Sequence, residues 1–373
     1  MLNKVIDSST EFLISSRSSG PISYPGTEVL STTADSGEFS LIQRFLTGRG
    51  AARDDVELDI GDDCAVTQIP AGFSLAFSID TLVSGVHFFA DADPQSLGHK
   101  SLAVSLSDLA AVGAKPAWAT LALTLPSPDS CWLECFSLGL HELARQFGVR
   151  LVGGDLTRGP LTISIQAMGL VKSRRALRRS GAEPGDLIVV SGQLGDAALA
   201  LQRLLLARQQ GKQSSARVEA IEPELRERLE WPTPRVELGL GLVDLATAAI
   251  DISDGLLADL GHLLEQSGRG GELEINAIPL SPASEAVVRK TQDWSLPLSG
   301  GDDYELCFTV PQANLKPVLA LGMALNIPLA VIGHITKQNG IRLRYPNGEI
   351  LTGASPLTGQ LGYDHFRQNS SDD

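Results

Sequence analysis

Residues 95–125 read QSLGHKSLAVSLSDLAAVGAKPAWATLALTL. Gln95 to Val112 carries apolar residues three and four apart, the spacing of a helix packed on a sheet. Trp118 to Leu125 is short, apolar and bounded by turn residues, as a buried strand is. Working outward, the same alternation continues from Gly37 onward. Strands are expected at Ser74 to Ile79, Leu161 to Val171, Leu187 to Val190, Ala248 to Ile252, Leu306 to Val310 and Ala330 to Ile335. Helices are expected at Ser130 to Phe147, Asp196 to Ala207, Arg235 to Ala246 and Asp254 to Glu265. The fold class is therefore mixed, α/β (α+β).

With 373 residues the chain is long enough for two or three domains. Residues 1–37 hold 13 Ser or Thr with scattered Pro and Gly, and no apolar run of signal-peptide length. This predicts a leader over 1–36 without fixed structure. The basic run Lys172, Arg174, Arg175, Arg178 and Arg179 leads into a turn-rich joint, Ser180 to Asp186, which places a domain boundary after Val171. Domains are thus expected over 37–171 and 172–366, followed by a tail, 367–373. Gln209 to Glu230 reads as a solvent-exposed polar insertion. Pro317 to Thr336 lacks Asp, Glu, Lys and Arg, but Asn326 and Pro328 divide it into a helix-like half (Val318 to Leu325) and a β-rich half (Leu329 to Ile335), against a membrane span.

Lys plus Arg number 30 against 44 Asp plus Glu, a formal charge of −14. That sign disfavours a protein that grips nucleic acid by neutralising phosphates. Cys64, Cys131, Cys135 and Cys307 form no CxxC pair, so neither a disulfide scaffold nor a zinc ribbon is indicated, and a reducing cytoplasm fits. Cys131 and Cys135 read as small buried apolar residues.

The acids themselves carry more information. Asp80, Asp108, Asp155, Asp251, Asp254, Asp302 and Asp303 mostly stand at expected strand ends, turns or helix starts, several beside Ser or Thr. Any one alone reads first as a cap. Together, without a His or Cys cluster, they are the hard-oxygen ligand set of several Mg²⁺ or Mn²⁺ ions. Such ions usually serve a polyphosphate, which points to a nucleotide-dependent enzyme. No Walker A loop, protein-kinase motif set or dinucleotide fingerprint is present.

Several ordered motifs resemble the thiamine-monophosphate kinase family, within the aminoimidazole-ribonucleotide-synthetase-like superfamily. They are Gly37-Glu-Phe-Ser-Leu-Ile-Gln43, Asp59-Ile-Gly-Asp-Asp-Cys-Ala65, Asp80-Thr-Leu-Val-Ser-Gly-Val-His-Phe88 and Ser107-Asp-Leu-Ala-Ala-Val-Gly-Ala114. Gly153-Gly-Asp-Leu-Thr-Arg-Gly159, Arg179-Ser-Gly-Ala-Glu-Pro-Gly-Asp186, Ile252-Ser-Asp-Gly255, Ser299-Gly-Gly-Asp-Asp-Tyr-Glu-Leu306 and Gly362-Tyr-Asp-His-Phe366 follow in order. The resemblance spans Gly37 to Phe366. It implies a two-domain synthetase-like fold, with an N-terminal sheet domain that dimerises and a C-terminal α/β domain over the nucleotide. It also implies a cytoplasmic homodimer that transfers the γ-phosphoryl group of ATP to thiamine monophosphate with several Mg²⁺ ions, giving thiamine diphosphate and ADP. No nucleic acid or membrane is involved.

Carried over by motif position, the resemblance makes Asp63, Ser78, Asp80, Asp108, Asp155, Asp251 and Asp254 metal ligands. Gly154, Asp155, Arg179 and Ser253 would contact ATP, and His87, Asp302 and Tyr363 would face thiamine monophosphate. Asp80, Asp108, Asp155 and Arg179 would carry the catalytic load by cancelling repulsion between the two phosphates. The chain departs from the family pattern at Ile79 (commonly Thr), Ser105 (Asn), Leu156 (Thr) and Asp302 (Glu). The last change shortens the carboxylate's reach by one methylene. Three rivals stand beside the kinase reading: another superfamily reaction, ATP-dependent activation of a carbonyl oxygen or of selenide; a non-catalytic Mg-nucleotide sensor; and a purely structural reading in which the aspartates are caps. Selenide activation would need a reactive Cys near the N-terminus, whereas the first Cys here is Cys64, inside the acidic motif. A non-catalytic Mg-nucleotide sensor would bind ATP without turning it over.

Overall fold

The computed structural model describes residues 37–211, 221–345 and 349–352. Helix α1 (Glu38–Phe45) and the short antiparallel pair β1 (Val56–Leu58) and β2 (Val66–Thr67) lead into the first layer. That layer runs β3 (Phe73–Val83), α2 (Pro94–Ala111), β4 (Lys115–Leu125), α3 (Ser130–Gln146), β5 (Arg150–Arg158) and β6 (Thr162–Lys172). Its four strands lie in the order β3-β6-β4-β5, antiparallel except for the parallel β4/β5 pair.

The second layer runs β7 (Leu187–Ser191), α4 (Asp196–Gln209), α5 (Pro223–Glu230), α6 (Val236–Leu242), β8 (Ala248–Ile252), α7 (Leu256–Ser267), β9 (Gly270–Glu274), α8 (Pro282–Thr291), α9 (Ser295–Ser299), β10 (Glu305–Val310), α10 (Leu315–Ala324), β11 (Leu329–Thr336), β12 (Gly340–Arg344) and β13 (Ile350–Thr352). Its seven strands lie in the order β13-β12-β9-β11-β7-β10-β8.

Helix α2 organises the molecule. Asp93 caps it by accepting from Ser96 N at 2.8 Å, with Pro94 in the first turn where its missing N–H costs nothing. It packs on α3, on β3 and β6, and on α6 and β8 of the second layer, so it is buried on nearly every side. The α2–α3 crossing is unusually close. A Cβ on Gly98 would stand 2.0 Å from the Phe136 carbonyl oxygen, and one on Gly139 would stand 1.9 Å from that of Gln95. Only glycine fits at either place. The polar residues of α2 consequently face not bulk water but the seam between the two layers.

Several expectations need correction. Gln209 to Glu230 is not simply an exposed insertion: its described part contains α5, whose Leu225 and Leu229 are buried, Leu225 in a cluster with Leu199 and Leu204 of α4. Residues 212–220 lie outside the described residues. Arg150–Arg158, which no expected element covers, is a full strand. The helix expected from Asp254 begins at Leu256, because Gly255 adopts φ +119° and keeps Asp254 in the preceding turn. Cys131 and Cys135 are exposed, not buried. The uncharged 317–336 stretch is the end of α10 followed by β11, and no described helix is long and apolar enough to cross a membrane.

Candidate active site

Strand alternation gives β3 one face toward α2, carrying Ser78, Asp80 and Leu82, and an opposite face carrying Phe77, Ile79 and Thr81. On α2, Ser105 and Asp108 are three apart and share a face. The two elements are laced by hydroxyl-to-carboxylate bonds. Ser105 Oγ donates to Asp80 Oδ2 at 2.8 Å, and Ser78 Oγ donates to Asp108. From the second layer, Asp251 in fully buried β8 accepts from Ser107 Oγ at 2.8 Å. Ser105 therefore supplies a donor to the Asp80 carboxylate.

These three carboxylates burden one another. Burial, then the charge of Asp108, raises the pKa of Asp80 to about 6. Burial, then the charge of Asp108, with those of Asp259 and Asp80, raises that of Asp251 to about 8. Burial also raises Asp108, while the Ser78 hydrogen bond and the positive charge of Arg179 pull the other way. Taking a cluster of like charges out of water is costly without a cation. The donors are oxygens alone, which suits a hard divalent ion. Among the described residues no three His, Cys, Asp or Glu converge closely enough to hold a metal by themselves. Mg²⁺ does not need such a cage, since it is typically held by one or two carboxylates and completed by phosphate and water.

The next turn is shaped by a residue the sequence reading missed. Asp259 in α7 accepts from the backbone N–H groups of Ser253, Asp254 and Gly255 at 3.0, 3.0 and 3.1 Å. It fixes the turn that presents Ser253 and Asp254. Its own pKa is raised to about 7, first by burial and then by the charge of Asp254, against those three donors.

Between the layers lies a cavity of about 550 Å³. Asp80, His87, Asp108, Asp251, Ser253, Asp254 and Asp302 all line it, and Ser78 reaches it through its bond to Asp108. Leu82, Phe88, Phe89, Leu97, Leu201 and Leu204 give the cavity its apolar lining. His87 Nδ1 accepts from Val83 N at 2.9 Å, so the neutral ring carries its proton on Nε2. Asp302 takes the left-handed φ of +70°, rare outside glycine, and its backbone N–H donates to Ser253 O at 2.8 Å, tying the two turns together.

Four expected site residues are not gathered here. Arg179, exposed after β6, does not line the cavity and bears on it only through its charge on Asp108. Asp63 is exposed between β1 and β2. Gly154 and Asp155 lie on β5, at the far edge of the four-stranded sheet from β3. Register across the sheet aligns Asp80 with Ile165, Leu121 and Gly154, so Asp155, paired with the exposed Ala122, projects from the opposite face to Asp80. Three strand spacings, about 14 Å, separate the lines. Gly154 allows this pairing at φ +151°, where a Cβ would meet the Leu121 carbonyl oxygen at 1.9 Å. Tyr363 lies outside the described residues. The reading also missed Lys100, Arg228 and Glu305. For Lys100 and Glu305 the one visible signal was a charge in or beside an apolar stretch; Arg228, within the polar run Pro223–Glu230, gave none.

Residues 61–171 match the AIR synthase related protein N-terminal domain and residues 183–346 its C-terminal domain. Thiamine-monophosphate kinase of Salmonella typhimurium is 46% identical over 332 residues, covering 88% of this chain and 98% of that protein. The crystal structure of thiamine-monophosphate kinase from Stenotrophomonas maltophilia superposes with a TM-score of 0.70 at 44% identity, over 80% of this chain and 92% of that one. A structure described as AaThiL complexed with AMPPCP and TMP superposes with a TM-score of 0.65 at 28% identity, over 86% and 97% of the respective chains. With its acidic cavity between two AIR-synthase-related layers, the chain belongs to the thiamine-monophosphate kinase family.

Proposed function

We propose that the cavity between the layers is where ATP phosphorylates thiamine monophosphate, and that Asp80, Asp108 and Asp251 are its working centre. The chain is an ATP-dependent thiamine-monophosphate kinase, yielding thiamine diphosphate and ADP. The observation that carries the site is the convergence of three mutually repelling carboxylates on one cavity, one of them, Asp108, within reach of the charge of Arg179.

The acceptor is a phosphate oxygen, already largely ionised at neutral pH, so no side chain needs to remove a proton from it. The task is to bring two anions into line. The carboxylates would repel them, which is the physical case for magnesium held by Asp80, Asp108, Asp251 and Asp254, with Ser78 as a neutral oxygen. When bound, Mg²⁺ supplies charge neutralisation between the phosphates. Arg179 contributes a permanent positive fork, Ser253 a hydroxyl to the nucleotide, and His87 an N–H at Nε2 to the acceptor phosphate. The apolar lining suits the rings of the acceptor, and Tyr363 would add a stacking surface.

Asp63, Gly154 and Asp155 complete the set in this reading through a second copy of the chain. Phe77 and Ile79 on the outer face of β3 are 65% and 64% exposed, an apolar patch on the same face as Asp155. Two copies packed through this face would form a homodimer, each lending Asp155 to the other's cavity. Residues 37–171 would then be the dimerising domain and 172–366 the domain over the nucleotide, with 1–36 a leader and 367–373 a tail. The enzyme works in the cytoplasm in this reading.

The test is ADP release from Mg·ATP with and without thiamine monophosphate, with chromatographic detection of thiamine diphosphate. Product should require both substrates and Mg²⁺, and vanish with EDTA. Asp80→Asn should lower kcat by about a hundredfold or more, the usual loss when a group that steadies transferred charge is removed. Asp80→Asn turning over at the wild-type rate would remove the carboxylate centre from the mechanism.

A further inference from the structure

Lys100 is a lysine that water barely reaches, 7% exposed, on the face of α2 that lines the cavity. Burying an ammonium is costly unless it is paired. Its Nζ donates to Asp302 Oδ2 at 3.1 Å and to the Leu229 carbonyl at 3.0 Å. The second oxygen of Asp302 accepts from the Tyr304 hydroxyl at 2.8 Å. One side chain of the first layer thus joins the end of α5 to the 301–304 turn of the second, and both of those also line the cavity.

The turn needs holding. Asp302 and Tyr304 both adopt left-handed φ, +70° and +49°, a conformation L-residues with side chains keep only when their surroundings impose it. Main-chain bonds from Asp302 N to Ser253 O and from Tyr304 N to Ile252 O, each 2.8 Å, fix the backbone. The direction of the carboxylate is fixed by Tyr304 on one oxygen and Lys100 on the other. Lys100 also offsets the charge of Asp302, in a cavity whose other acids already repel one another.

Resting on the reading that Asp302 faces the acceptor, we propose that Lys100 is a positioning residue for thiamine monophosphate. It acts through Asp302, aiming the carboxylate and cancelling its charge so that an anionic phosphate can be seated nearby. This role belongs to acceptor binding, not to ATP binding or to the transfer step.

The experiment measures KM for thiamine monophosphate, KM for ATP and kcat for wild type, Lys100→Met, Lys100→Arg, Asp302→Ala and the Lys100→Met/Asp302→Ala double variant. Lys100→Met should raise KM for thiamine monophosphate about tenfold, the usual weight of a hydrogen bond to a charged group, with KM for ATP much less affected. Lys100→Arg should recover part of the loss. In the Asp302→Ala background, Lys100→Met should have no further effect on acceptor KM. Losses that multiply in the double variant, or that fall equally on both substrates, would make Lys100 a purely structural residue. If Asp302→Ala raises acceptor KM while Lys100→Met does not, only the role of Lys100 fails. If Asp302→Ala leaves acceptor KM unchanged, the reading of Asp302 fails and this inference fails with it. Should Lys100→Met not fold, Lys100→Gln, which keeps a donor for Leu229, gives the same comparison.

Discussion

Glu305 is a carboxylate with no exposed surface, at the first position of the all-buried strand β10. Burial would raise its pKa. The hydrogen bonds and charge of Arg235, with the charge of Arg228 and a 2.6 Å bond from Ser191 Oγ, outweigh burial and hold it below the usual carboxylate range. Removing one member of such a group strands the others in a dry interior. Glu305→Gln should therefore lower unfolding free energy by about 3–5 kcal/mol, read by chemical denaturation. A loss below about 1 kcal/mol would show that water reaches the arginines. The residue scale is also where the sequence was most uneven. Asp80, Asp108 and Asp251 stood out because each sits beside a hydroxyl residue or at an element's edge. Glu305 did not, because its partners Arg228 and Arg235 are more than 60 residues away along the chain. No local pattern encodes such a pairing.

At the scale of elements, α1 is pinned to α3 through one carbonyl. Phe45 O accepts from Ser137 Oγ at 2.5 Å and from His141 Nε2 at 3.3 Å, while buried His141 Nδ1 has no hydrogen-bond partner among the described residues. Burial, then the charges of Arg49, Arg145 and Arg150, lowers the His141 pKa to about 4, against the opposing Phe45 bond. The unfolded chain has an ordinary value of about 6.5. Between those two values the unfolded state binds the extra proton, so the contribution is intact above pH 6.5 and is lost as pH falls toward 4. At pH 5 the loss is up to about 2 kcal/mol. Thermal melts should show a fall in Tm from pH 7 to pH 5 that His141→Asn reduces; an identical fall in the variant would assign the acid sensitivity elsewhere. Elements themselves were legible when their periodicity was strong, as in α3 and β6, or when a long apolar run left little alternative, as in α2. Strand β5 was not, because Gly153, Gly154 and Asp155 have turn chemistry and become a strand only by pairing with β4. Helix α5 was hidden for a related reason: in a polar stretch only Leu225 and Leu229 face inward, so its core-facing signal is narrow.

At the scale of the whole molecule, the proposed site is divided within one chain. Asp80 and Asp155 lie on opposite faces and opposite edges of one sheet, and no rearrangement of loops closes that separation. A closed two-fold pair is the simplest assembly that could reunite them, and the exposed Phe77 and Ile79 supply apolar area for it. In such a pair each cavity draws Asp80 from one chain and Asp155 from the other. Two variants inactive alone, Asp80→Asn and Asp155→Asn, should then rescue one another. Mixed in equal amounts and allowed to exchange subunits, about half the dimers are hybrid, and each hybrid holds one intact site and one doubly altered site. Activity should return to about a quarter of wild type. Sites complete within one chain would give no rescue, because every cavity would keep its own defect. Phe77→Glu separates the two requirements: it should yield a monomer by light scattering and abolish rescue along with turnover. A Phe77→Glu monomer that retained full activity would place Asp155 outside the site.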